Sequence, residues 1–101
     1  DFGGSDAAIT AQRVQTEAPD ALHVPTVIGA VTPTYNLPGL NLRFSPESLA
    51  GIYLGAIRRW NDPRIAADNP GVTLPNQAIT VVYRSDGSGT TAIWTDYLSK
   101  V

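Results

Sequence analysis

The order of apolar and polar positions divides the chain into two kinds of segment. Residues 24–35 and 79–83 are rich in β-branched and apolar side chains and nearly free of charge, as is typical of strands covered on both faces in an α/β sheet. Residues 8–18 and 92–98 instead read as helices. The pattern therefore predicts an α/β fold.

Local start and stop signals mark further helices. Residues 45–47 read Ser-Pro-Glu, the order of an N-cap, a first-turn proline and a first-turn acid, and residues 62–63 repeat the signal as Asp-Pro. We expect the first of these helices to end at Gly55 and the second at the turn 69–71. Thr10 is the predicted cap of the helix at the start of the chain.

Composition narrows the classes of function. The chain has 101 residues, 43% of them hydrophobic, which suits one globular domain. A net charge of −2 provides no basic field for nucleic acid or an anionic membrane. Cysteine is absent and His23 is the single histidine, so we expect no metal or cofactor and a structural role for His23.

One uncharged stretch, residues 21–42, is long enough to cross a bilayer. Its three prolines and several hydroxyl and amide side chains make it a poor membrane helix. We therefore predict buried strand and no membrane insertion.

The clearest chemistry lies in the loop 84–91, between the second predicted strand and the last helix. Gly87 and Gly89 allow unusual dihedrals and close approach of a ligand. Ser88 and Thr90 supply hydroxyl groups near a helix N-terminus, whose free N–H groups and dipole favour negative charge. The loop reads either as an anion site or as a flexible turn capped into a helix.

Arg84 and Asp86 extend the anion-site interpretation. The planar guanidinium of Arg84 matches two oxygens of a tetrahedral oxyanion. Asp86 would repel such an anion, and we therefore assign it the role of orienting Arg84.

The loop lacks residues that two well-known motifs require. A Walker loop needs a lysine where Thr90 follows Gly89, and a nucleophile elbow needs glycines at the positions of Asp86 and Thr90 around Ser88. A phosphate-ester hydrolase with Ser88 or Thr90 as nucleophile and Asp86 as base is the enzymatic alternative. No general acid or metal cluster accompanies it, and we predict that the protein is not an enzyme.

Four ordered stretches together resemble a known family. They are residues 1–7 (DFGGSDA), 25–29 (PTVIG), 55–63 (GAIRRWNDP) and 84–91 (RSDGSGTT). In this order they resemble the phosphate-binding proteins of bacterial high-affinity phosphate ABC importers.

The resemblance implies a type II periplasmic-binding-protein fold, with two lobes, each a mixed sheet flanked by helices, closing over phosphate. Residues 1–101 would form one partial α/β domain containing parts of both lobes. Family members are longer and bind phosphate with further groups from a preceding segment, so we expect this chain to be an internal fragment. The implied partners are inorganic phosphate and the membrane permease, and the implied location is periplasmic or extracytoplasmic, with a lipid anchor in some relatives.

The resemblance also assigns roles to particular residues. It implies phosphate contacts from Asp6, Arg84, Ser88, Gly89 and Thr90, supported by Asp86 and Gly87.

Asp6 would distinguish phosphate from sulfate. Phosphate keeps a proton near neutral pH and can donate a hydrogen bond to a carboxylate, whereas sulfate presents only negative charge and is repelled. The plainer alternative is that Asp6 caps the helix that follows.

A third function class is a structural fragment with weak or no ligand binding. An unfinished sheet leaves apolar faces and strand edges open, and these surfaces favour self-association.

Overall fold

The computed structural model describes residues 1–101 and contains four α-helices. Extended segments connect the helices, and they pair only at an isolated antiparallel bridge between Arg59 and Ala78. No helix is both long and apolar enough to span a membrane. The helices are α1 (Ala11–Glu17), α2 (Pro46–Tyr53), α3 (Pro63–Asp68) and α4 (Gly89–Ser99).

Each helix is preceded by an N-cap residue whose side chain accepts a hydrogen bond from a backbone N–H of the first turn. The caps predicted at Thr10, Ser45 and Asp62 are confirmed. The last helix begins before the predicted residue 92, because Ser88 accepts from the Thr91 N–H and caps it. Local cap chemistry therefore sets where every helix starts.

The end of α2 is a Schellman turn. Gly55 has φ +75° and donates from its N–H to the Ile52 carbonyl, while the Ala56 N–H donates to the Gly51 carbonyl. The predicted end at Gly55 is thus confirmed. The turn sends the chain back so that Ile57 packs closely against Gly51.

The core is small and lies between α2, α3 and the segments that follow them. Its buried members are Ile52, Ile57 and Ile65. Burying each of these side chains contributes about 1.5–3 kcal/mol. Partly buried side chains surround them, namely Phe44, Trp60, Leu74, Ile79 and Val81.

Polar side chains at the end of α3 fix the segment before α2. Asn69 is 5% exposed; its Oδ1 accepts from the Arg43 N–H at 2.6 Å, and its Nδ2 donates to the carbonyls of Arg43 and Ile65 at 2.8 and 2.9 Å. The Asp68 carboxylate accepts from the Ser45 N–H at 2.8 Å, and this bond lowers the pKa of Asp68. Residues 43–45 are therefore tied to α3.

The strands predicted at 24–35 and 79–83 do not pair into a mixed sheet in this structure. Residues 22–36 and 80–87 make no backbone-to-backbone hydrogen bond, and Val27 and Ile28 are 85% and 98% exposed. A strand needs a neighbouring strand to satisfy its N–H and C=O groups, and the chain offers none beside these segments.

The unpaired extended segments give the molecule an elongated shape. It measures 55 × 24 × 21 Å with a radius of gyration of 17.8 Å, whereas a compact domain of this length has about 13 Å. Its accessible surface is 8165 Å², against about 5,500 Å² for a compact monomer of this mass. Much of the chain therefore lies outside the core.

We expect the Asn69→Ala variant to lower the free energy of unfolding by about 1–3 kcal/mol, because backbone groups of Arg43 and Ile65 lose buried partners. Urea titration followed by tryptophan fluorescence measures the change. Asn61→Ala is the control, since Asn61 is exposed. Equal stability of the two variants would contradict the role of Asn69.

Candidate functional site

The predicted site residues come from two distant segments that meet at the start of α4. The Thr90 hydroxyl donates a hydrogen bond to Asp6 Oδ2 across 84 positions of sequence. Asp6 does not cap α1, because Thr10 occupies that position. The plainer interpretation of Asp6 as a helix cap is therefore wrong.

Gly89 lies directly against the Asp6 segment. A Cβ built on Gly89 would lie 3.0 Å from both the Asp6 Cβ and the Asp6 backbone nitrogen, and 3.3 Å from the Ala7 nitrogen. Such distances are shorter than ordinary van der Waals contact. Only a residue without a side chain allows the two segments to approach this closely.

Arg84 and Asp86 form a two-bond ion pair. Nε donates to Oδ1 at 2.6 Å and Nη2 to Oδ2 at 2.7 Å, and Nη2 also reaches the Gly87 carbonyl at 3.3 Å. These hydrogen bonds lower the pKa of Asp86 and raise the pKa of Arg84. Both side chains are more than half exposed, so the pair contributes little to stability. Its effect is to fix the direction of the guanidinium, while Nη1 takes no part in these bonds.

The first turn of α4 presents further hydrogen-bond donors. Ser88 Oγ accepts from the Thr91 N–H at 3.2 Å, which leaves its own O–H available to donate. The N–H groups of Gly89 and Thr90 have no backbone acceptor, as is usual in the first turn of a helix. The helix dipole adds partial positive charge at this point.

Taken together, these groups have the chemistry of an oxyanion site. A guanidinium, a hydroxyl and two backbone N–H groups can donate to an anion. The Asp6 carboxylate can only accept, so it suits an anion that still carries a proton. The site is on the surface: Asp6, Arg84 and Thr90 are all exposed.

Other titratable groups lie apart from this site. His23 accepts a hydrogen bond from the Ile9 N–H at 3.3 Å, in line with the structural role predicted for it. No group of three or more His, Asp or Glu side chains lies together in a way that would hold a metal.

The structure adds an aromatic cluster that the sequence analysis missed. Trp94 packs edge-on against Tyr53 at 5.4 Å and stacks on Tyr97 at 5.6 Å, and its buried Nε1 has no partner. Tyr53 and Trp94 help to line a groove of about 1040 Å³ that reaches Arg84 and Thr90. Spacing of aromatic residues within the last helix was the available signal, but their contact with α2 is not local.

Comparison with known proteins identifies the family of this chain. Residues 1–101 match the protein-family model described as PBP superfamily domain. The phosphate-binding protein PstS of Pasteurella multocida is 50% identical over 104 residues, which cover 100% of this chain and 30% of that protein. PstS of Haemophilus influenzae is 45% identical over the same shares.

A third organism has a similar protein. PstS of Methanocaldococcus jannaschii is 48% identical over 85 residues, covering 79% of this chain and 22% of that protein. The chain thus spans about 30% of the length of the relatives from Pasteurella multocida and Haemophilus influenzae. These matches confirm the resemblance to phosphate-binding proteins, and the match over all residues means that the chain belongs to the PBP superfamily.

Proposed function

We propose that the chain binds inorganic phosphate at the start of α4, as part of the solute-binding component of a phosphate ABC importer. The observation that carries the proposal is the meeting of Asp6 with Thr90. It puts one hydrogen-bond acceptor beside a group of donors. Relatives named phosphate-binding protein support the choice of anion.

Each group has a distinct part in binding. Arg84, held by Asp86, donates to phosphate oxygens, together with the Ser88 hydroxyl and the N–H groups of Gly89 and Thr90. Asp6 Oδ2 is engaged by Thr90, whereas Oδ1 remains to accept the proton of a phosphate hydroxyl. Gly87 supports the loop through its carbonyl contact with Arg84.

Asp6 gives the site its selectivity in this proposal. A protonated phosphate oxygen donates to the carboxylate, whereas every oxygen of sulfate is a bare acceptor. Sulfate would therefore be repelled while phosphate gains a charge-assisted hydrogen bond.

A binding role suits the site better than hydrolysis of phosphate esters. The base that a nucleophilic Ser88 needs is missing, because both Asp86 oxygens are engaged by Arg84. Hydrogen bonding to Arg84 also lowers the pKa of Asp86, which makes it a weaker base. We therefore infer that the protein binds phosphate without transforming it.

The wider architecture is also a proposal. We infer a type II periplasmic-binding-protein fold with two lobes, to which residues 1–101 contribute parts of both as a partial α/β domain. Residues 24–35 and 79–83 would pair as strands where the remainder of a full-length relative supplies neighbours. The partner is then the membrane permease of the importer, and the location is periplasmic or extracytoplasmic.

A second candidate function, self-association of the isolated chain, is favoured by its surface area. The accessible surface of 8165 Å² exceeds that of a compact monomer by roughly 2,700 Å². A standard interface needs about 800 Å² from each partner. The exposed, unpaired segment 22–31 offers both apolar side chains and free backbone groups.

We expect calorimetric titration with phosphate at neutral pH to give saturable heat, and Arg84→Ala to weaken binding about ten- to hundred-fold through lost charge-assisted hydrogen bonds. Arg13→Ala is the matched control, because Arg13 forms a similar exposed two-bond pair with Glu17. Absence of heat with the unsubstituted chain, or equal losses in both variants, would contradict the proposal.

The ratio of phosphate to sulfate affinity tests the role of Asp6. We expect Asp6→Asn to reduce this ratio at least about ten-fold, because the amide no longer repels sulfate and can donate to it. Competition between the two anions measures the ratio, with Asp20→Asn as the control for loss of an exposed carboxylate. An unchanged ratio in Asp6→Asn would contradict a role of Asp6 in selecting phosphate over sulfate.

Sedimentation equilibrium tests self-association. We expect the average mass of the isolated chain to rise with concentration and the rise to shrink in Val27→Lys, because a charge on an open strand opposes pairing. Thr73→Lys, at an exposed position outside the segment, should behave as the unsubstituted chain. A monomer at all concentrations would exclude this candidate.

A further inference from the structure

The backbone conformation of Gly89 does not explain why this position is a glycine. Gly89 is the first residue of α4, and its φ is not among the positive values found at Gly39, Gly55 and Gly71. Alanine is favoured over glycine by about 1 kcal/mol within a helix. Gly89 lies at the first position and not in the helix interior, but helix formation gives no reason for a glycine there.

The contact with the Asp6 segment supplies the explanation. Two of the three atoms that a Gly89 Cβ would meet are backbone nitrogens, those of Asp6 and Ala7, at 3.0 and 3.3 Å. A rotamer change cannot relieve the contacts with these nitrogens, so the segment itself must shift by a few tenths of an ångström. Gly51 differs, since its nearest neighbour is the flexible end of the Ile57 side chain at 2.9 Å.

Little else holds the Asp6 segment in place. Residues 1–9 make no backbone-to-backbone hydrogen bond, and the Ser5 hydroxyl bonds only to Ala7 nearby. The ties to other parts of the chain are the Thr90–Asp6 bond and, further along, the bond from the Ile9 N–H to His23. A side chain at position 89 would therefore move Asp6 without disturbing the core.

We propose that Gly89 is a positioning residue for anion selectivity, which it provides by letting the backbone of residues 6–7 rest on the first turn of α4. This inference rests on the proposed phosphate site and deepens it. Gly89 acts here through Asp6 and separately from its own N–H, which an alanine would retain.

The expected effect follows from the direction of hydrogen bonds. A bond from a phosphate hydroxyl to Asp6 weakens steeply when donor and acceptor are misaligned. Moving the carboxylate away also reduces its repulsion of sulfate. Gly89→Ala should therefore weaken phosphate binding while sparing or improving sulfate binding.

The test is a double-mutant cycle on the ratio of phosphate to sulfate affinity, measured by calorimetry on the full chain. We expect Gly89→Ala to lower the ratio at least about ten-fold, and to change it little when added to Asp6→Asn, because the two variants remove the same interaction. Gly29→Ala is the matched control, since nothing lies within 4 Å of its Cβ position. An unchanged ratio, or an equal further loss in the Asp6→Asn background, would overturn the inference.

A second measurement separates this inference from the proposed function. The amide resonances of Asp6 and Ala7 should shift in Gly89→Ala and stay in place in Gly29→Ala, with the helical circular dichroism retained in both. Resonances that do not move in Gly89→Ala would overturn the positioning role. If the unsubstituted chain binds no phosphate, the proposed function fails, and these resonances still decide whether Gly89 positions Asp6.

Discussion

The structure depends on how each segment satisfies its backbone hydrogen bonds. A helix closes its bonds within one stretch of chain, whereas a strand takes them from a neighbour. All four helices are accordingly formed and capped, while the β-branched segments 22–36 and 80–87 remain without backbone partners. The same constraint explains why the core is confined to the middle of the chain, around Ile57 and Ile65.

The candidate site combines a firm part with a loosely held part. α4 contacts α2 through Trp94 and Tyr53, and the loop before it is ordered by the Arg84–Asp86 pair. The Asp6 segment, in contrast, reaches α4 mainly through Gly89 and Thr90. The donors are thus fixed by the fold near α4, while the acceptor depends on these two contacts.

Sequence reasoning succeeded where the determining chemistry is local. The caps at Ser45 and Asp62 and the end of α2 at Gly55 each follow from a few adjacent residues, as does the pairing of Asp86 with Arg84. It failed for the strands, since side-chain pattern indicates the preference for extended structure but not the presence of a neighbour. Sequence reasoning also missed the packing of Gly89 against Asp6, because nothing in the residues around a glycine indicates which distant segment it contacts.

The long separation between Asp6 and Thr90 links ligand binding to the ordering of the chain. A single hydrogen bond joins the two side chains, and one exposed hydrogen bond returns only roughly 1 kcal/mol, which is comparable to the backbone entropy of ordering about one residue. An anion that touches both segments adds bonds between them and acts as a removable cross-link. Occupied and empty forms of this protein would then differ in how often the first residues dissociate from α4, as well as in the charge held between them.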